Sequence, residues 1–93
     1  GSRPQLRAYP NPFPGGGTTI RFELAGASPV RLEIFDLRGR LVARLVDERR
    51  KAGAHAVVWR GLDDRGARMP SGAYLARLRV GAETASRRLL LVK

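Results

Sequence analysis

A chain of 93 residues without cysteine is one domain's worth of polypeptide. A single core of ordinary density takes about 100 residues, so a second core, a disulfide framework and a thiolate metal site are excluded. The net charge of +10, from sixteen arginines and two lysines against eight acids, has two readings: an arginine-favouring genome composition, or a surface that attracts polyanions such as nucleic acid and lipopolysaccharide phosphates.

Gly1 and Ser2 read as the remnant of a cleaved tag, which implies a natural protein extending upstream. Residues 3–17 hold four prolines and three consecutive glycines without periodicity, an extended lead-in ending in a loop. The sandwich proper is expected over residues 18–93. From Thr18 the pattern turns to period two, with Ile20, Phe22 and Leu24 alternating against Thr19, Arg21 and Glu23. After a turn at residues 25–29, Val30, Leu32 and Ile34 form the apolar face of the next strand. Gly39 turns the chain into a strand at residues 41–46; residues 41–51 also admit a helix, but Leu41, Val42, Leu45 and Val46 fit a strand equally well and the hairpin context decides. A charged loop is expected over residues 47–53, closing at Gly53, and then a strand in which Val57 and Trp59 point inward.

Asp63, Asp64 and Gly66 form a turn signature. Residues 67–69 read as a short edge strand, and Gly72 leads into a strand with Tyr74, Ala76, Leu78 and Val80 on one face. The final strand, residues 83–92, has apolar residues on both faces at Leu89, Leu90, Leu91 and Val92, which predicts a bulge or two-sided burial. No residue run approaches the roughly 20 apolar positions of a membrane-spanning helix. Six or seven short strands with turns every 8 to 12 residues make the chain all-β: an antiparallel β-sandwich of about seven strands, with a small barrel as the alternative.

Little in this pattern can do chemistry. His55 is the sole histidine, so paired-histidine zinc sites are out of reach and no nucleophile-elbow sequence accompanies it. Asp63 and Asp64 are hard oxygen ligands in one loop and admit an exposed calcium site, although their spacing is not that of an EF-hand; turn stabilisation is the competing reading. Tyr9, Phe13 and Phe35 are the aromatics open to exposure, too few for a base-stacking platform, so no specific nucleic acid is expected. No enzyme activity and no cofactor are expected.

The segment Tyr9-Pro10-Asn11-Pro12-Phe13, followed by Thr18-Thr19-Ile20-Arg21-Phe22, resembles the opening of the C-terminal sorting domains of the type IX secretion system and of the related flagellar hook-capping-protein immunoglobulin-like domains. Further blocks fall in the family's order: Asp36-Leu37-Arg38-Gly39-Arg40, Gly53-Ala54-His55, Trp59-Arg60-Gly61 with Asp63-Asp64-Arg65-Gly66, and Pro70-Ser71-Gly72-Ala73-Tyr74. The resemblance implies an immunoglobulin-like sandwich in which Trp59, Gly39, Gly53 and Gly66 are scaffold. It implies a secreted or surface-attached bacterial cargo protein, a translocon or shuttle protein as partner and, in members that are processed, a sortase that anchors the cargo to lipopolysaccharide. Carried over residue by residue, the recognised signal falls on Gly72, Tyr74, Arg87, Arg88, Leu89, Leu90, Leu91, Val92 and Lys93. A structural or protein-binding module, hook-cap-like or a spacer, is the second reading.

Overall fold

The computed structural model describes residues 4–93; Gly1, Ser2 and Arg3, including the expected tag remnant, lie outside the described residues. Seven strands are formed among them: β1 Leu6–Tyr9, β2 Thr18–Leu24, β3 Ser28–Asp36, β4 Leu41–Arg50, β5 Gly53–Trp59, β6 Gly72–Val80 and β7 Glu83–Leu91. They build a three-stranded sheet in the order β1-β2-β5 and a four-stranded sheet in the order β4-β3-β6-β7. Every pairing between named strands is antiparallel. The all-β sandwich expected from the period-two pattern is the fold observed.

The physical reason is the alternation itself. In β2 the residues Thr18, Ile20, Phe22 and Leu24 are buried while Arg21 and Glu23 face solvent, and β3 and β6 bury Val30, Leu32, Ile34, Tyr74, Ala76 and Leu78 from the opposing sheet. Each sheet has one apolar face, and stacking the two faces removes both from water at roughly 25 cal/mol per Å² of apolar surface. Trp59 sits at one end of this layer, 2% exposed, with its ring centroid 5.5 Å from Phe13 and 5.2 Å from Tyr74. Its indole Nε1–H donates to the Leu62 carbonyl at 2.9 Å, so the one polar atom of the ring is satisfied.

Five expectations are corrected. First, Leu6–Tyr9 is a strand although the pattern gives none before Thr18: two inward positions, Leu6 and Ala8, are too short a repeat to register, and the free edge of β2 supplies the pairing. Second, residues 47–50 are not loop but the continuation of β4, because Ser28, Pro29, Val30 and Arg31 of β3 pair with them one for one; main-chain bonding overrides the charge of the side chains.

Third, residues 67–69 form no strand. They bond within their own turn instead, through an isolated Leu62–Arg68 bridge, a Met69 N–H bond to the Gly61 carbonyl and an Asp63 N–H bond to the Ala67 carbonyl, and the contact with the β4 edge is made by Asp64. Fourth, β7 pairs with β6 in unbroken register and its end has one buried face: Leu89 and Leu91 are buried, whereas Leu90 is 41% and Val92 49% exposed. The register shifts occur instead between β3 and β4, at Leu32/Glu33 and Ile34/Phe35. Fifth, Phe13 is in the core at 1% exposure, held there by the chain that follows the proline-flanked Asn11.

Candidate functional site

The residues singled out on resemblance gather along β7 and its neighbour β6. Gly72 pairs with Leu91 and Tyr74 with Leu89. Tyr74 is buried, packs edge-on against Trp59 and donates its phenolic O–H to the Pro70 carbonyl at 2.6 Å. This is a tyrosine tying the start of a strand back to the chain four residues upstream, a device of immunoglobulin-like sandwiches. Burial, with a smaller push from the Asp36 carboxylate, raises the phenol above its ordinary value of 10.0. Tyr74, Leu89 and Leu91 thus contribute packing, and the surface they leave is made by Arg88, Leu90, Val92 and Lys93, all exposed.

β7 is the last strand of its sheet, yet its outer edge is occupied. The Asn11 side-chain amide donates to the Arg88 carbonyl at 2.8 Å and accepts from the Leu90 N–H at 3.0 Å. Phe13 continues the pattern: its N–H donates to the Leu90 carbonyl at 2.8 Å and its carbonyl accepts from the Val92 N–H at 2.9 Å. One side chain and one residue of backbone therefore stand in for a neighbouring strand over residues 88–92. Arg87 reaches the other way, its Nε donating to the Leu6 carbonyl at 3.1 Å and joining the two sheets. Lys93 N–H is held by Ser71 Oγ at 3.2 Å. Sequence reasoning missed Asn11 and Phe13 as parts of this assembly. The available signal was an asparagine between two prolines, a place where a side-chain amide rather than a chain direction is being fixed.

The aspartates of the long turn are similarly engaged. Asp63 Oδ1 accepts from the Arg65 and Ala67 N–H groups, both at 2.9 Å. Asp64 points elsewhere, toward β4: its carboxylate accepts from the Arg44 N–H at 3.0 and 3.2 Å, and its own N–H donates to the Val42 carbonyl at 3.2 Å. Neighbours in sequence, the two carboxylates serve separate backbones. No group of three or more His, Asp or Glu able to hold a metal occurs among the described residues.

His55 is occupied as well, its Nε2 within 2.8 Å of the Lys51 carbonyl and its ring stacked on Phe22 at 5.3 Å. It lines a cleft with Phe22, Leu24 and Val80.

Charge on the outer face of the four-stranded sheet is organised around one buried acid. Glu33 is 5% exposed and receives Arg44 Nε at 3.0 Å and Arg77 at 3.8 Å. The Arg77 guanidinium also lies 4.4 Å from the Phe35 ring centroid, within cation–π range. Asp36 closes the tight turn before β4 by accepting from the Arg38 and Arg40 N–H groups at 2.9 Å. The Arg40 amide is the chief cause of an Asp36 carboxyl below its ordinary 3.8. Among the described residues, acids pair with Arg31, Arg40, Arg44, Arg50 and Arg77, and most of the other arginines are exposed.

The sequence model of the FlgD Ig-like domain matches residues 11–85. Among solved structures, PorZ, described as an essential bacterial surface component of the type-IX secretion system of Porphyromonas gingivalis, superposes with a TM-score of 0.65 at 22% identity, over 95% of this chain and 11% of PorZ. The dimeric latent PorU of the same bacterium gives 0.76 at 21% identity, over 96% of this chain and 9% of PorU. FlgD of P. aeruginosa gives 0.60 at 25% identity, over 77% of this chain and 57% of FlgD. The chain thus spans about a tenth of PorZ and PorU and somewhat over half of FlgD. No curated protein sequence matches it.

Proposed function

Because the chain belongs to the FlgD Ig-like domain family, a family of structural modules, we propose that it is a non-catalytic sorting and attachment domain. In this reading it directs a bacterial cargo protein through the type IX secretion system to the cell surface, by way of the periplasm and outer membrane. The observation that carries it is the construction of β7. Leu89 and Leu91 lock the strand into the core and Asn11 fixes its edge, so Arg88, Leu90, Val92 and Lys93 are displayed on a rigid support. A displayed, pre-ordered strand is what a translocon or shuttle protein can read at low entropic cost. The likeness to PorZ and PorU supports the fold such a role uses. A sortase acts on the domain where it is removed after export. Lipopolysaccharide phosphates meet the +10 chain through general charge attraction. No helix of the described residues is long and apolar enough to cross a membrane.

The test is a periplasmic reporter fused ahead of the domain in a bacterium possessing the type IX system. Because truncating residues 87–93 would remove Leu89 and Leu91 from the core, the variant to compare is Arg88→Glu, Leu90→Ser, Lys93→Glu, which leaves the core intact. Export lost with a folded domain supports the sorting role; export at the wild-type level overturns it. The match of the FlgD Ig-like model and the 25% identity to FlgD favour, as second reading, a structural or protein-binding module, for which the reporter stays folded in the periplasm with either sequence.

A further inference from the structure

A sandwich of two open sheets has four edge strands, here β1, β5, β4 and β7, and an edge strand is a template for pairing unless something blunts it. Three of the four are blunted. β7 is covered by Asn11 and Phe13. β1 is four residues long and receives Arg87 on the Leu6 carbonyl. β4 is bound at Val42 and Arg44 by Asp64, is irregular in register at two points, and ends in the charged run Asp47, Glu48, Arg49, Arg50.

β5 has none of these devices. Its seven residues, Gly-Ala-His-Ala-Val-Val-Trp, include no Lys, Arg, Asp, Glu or Pro. They pair with β2 in unbroken register from Trp59 to Gly53. Among the described residues, no main-chain hydrogen bond joins β5 to any other segment. Ala54 and Ala56 are exposed and Val58 is 45% exposed, so short side chains flank the open edge on the outer face.

Charge decides what fits there. The strand is bracketed by exposed Lys51 and Arg60, and exposed Arg21 lies opposite Ala56 on β2, with Glu23 opposite Ala54 the one acid on that face. A second copy paired antiparallel about Ala56 would set Lys51 of each chain beside Arg60 of the other, twice over, between two molecules of net charge +10. Like charges so placed oppose pairing.

We infer that the free edge of β5 is a strand-addition site for an extended segment of another protein, small or β-branched at its centre and acidic at both ends. Main-chain bonds supply the attachment and carboxylates beside Lys51 and Arg60 fix its register. The site lies on a different strand from the displayed β7 surface and does not depend on the export reading, since the isolated domain suffices to test it.

The experiment is a titration of the ¹⁵N-labelled 93-residue chain with a synthetic peptide of alternating threonine and valine flanked on each side by two glutamates. A lysine-flanked counterpart serves as control. Amide shifts confined to β5 and its β2 neighbours, with slowed exchange of β5 amides, are expected for the glutamate peptide alone. Ala56→Pro, which removes a main-chain donor at the centre of the strand, abolishes them. Because that variant can lose its fold, Lys51→Glu with Arg60→Glu is the second test: it weakens the glutamate peptide by about tenfold or more and admits the lysine peptide. No shifts at millimolar peptide, shifts centred on β7, indifference to the charge reversal, or a wild-type dimer in sedimentation would each overturn the inference.

Discussion

Asn11 and Leu90, 79 positions apart in sequence, are joined by a 3.0 Å hydrogen bond from the Leu90 N–H to Asn11 Oδ1. The same side chain donates 2.8 Å to the Arg88 carbonyl. A single amide thus satisfies one donor and one acceptor that an edge strand leaves open, and does so with the complementary pair of atoms that a backbone would offer. Asp64 repeats the device on the opposite edge of the same sheet, with its carboxylate on the Arg44 N–H and its own N–H on the Val42 carbonyl.

Replacing Asn11 by Ala removes both bonds and opens the edge of β7 at the Arg88 carbonyl and the Leu90 N–H. At a net contribution of about 0.5–1.5 kcal/mol per bond, the variant loses about 1–3 kcal/mol of unfolding free energy. Denaturant unfolding measures the loss, and hydrogen exchange at the Leu90 amide should accelerate by the corresponding factor while amides at the centre of β3 report only the global change.

Gly17 and Gly15 make a paired test of the loop before β2. Gly17 has φ of +108°, and a Cβ there would stand 2.8 Å from the Trp59 carbonyl oxygen, a backbone atom that cannot swing aside. Gly17→Ala is expected to cost about 2–3 kcal/mol or more through strained φ and steric conflict. Gly15 has nothing within 4 Å of such a Cβ, so Gly15→Ala stays within about 0.5 kcal/mol of the parent. Thermal unfolding of the two variants separates a required glycine from a permissive one.

Thr18 is 1% exposed and its Oγ1 has no hydrogen-bond partner among the described residues. A buried hydroxyl without a partner costs about 1–3 kcal/mol, and valine has nearly the same shape. Thr18→Val is therefore expected to stabilise the domain by about 1 kcal/mol, read as a higher denaturant midpoint at unchanged slope.

The pH dependence has two limbs of opposite origin. Asp36 has a folded-state carboxyl below its ordinary 3.8, chiefly because the Arg40 amide donates to it. Its stabilisation is present above 3.8 and lost as pH falls through the lower folded value. Tyr74, raised by burial above 10.0, contributes stability that is whole below 10.0 and lost as pH rises through the raised value. Melting temperatures across pH should show the acid limb flattened in Asp36→Asn and the alkaline limb flattened in Tyr74→Phe.

Leu89 and Leu90 are adjacent and opposite in consequence. Leu89 is fully buried and Leu90 is 41% exposed. Leu89→Ala should cost about 2–5 kcal/mol, whereas Leu90→Ala should fall within about 1 kcal/mol. Circular dichroism melts of the two distinguish core from display within one strand.

The sequence determined the class of the fold, because alternation at Ile20, Phe22 and Leu24, at Val30, Leu32 and Ile34, and at Tyr74, Ala76 and Leu78 commits each strand to one wet and one dry face whatever its neighbours. It also carried the ordered blocks that mark the family. What lay beyond it was every property set by pairing across the sheet. Charged residues 47–50 became strand because β3 offered them partners. Leu6–Tyr9 became strand because β2 had an edge to fill. Phe13 went to the core because Asn11 anchored the chain on β7. The two-sided ambiguity of residues 89–92 was likewise resolved by the single register with β6. Hydrogen bonds between residues 77 or 79 positions apart leave no periodic trace along the chain. Which of four edges is closed and which is open was accordingly decided only by the tertiary structure.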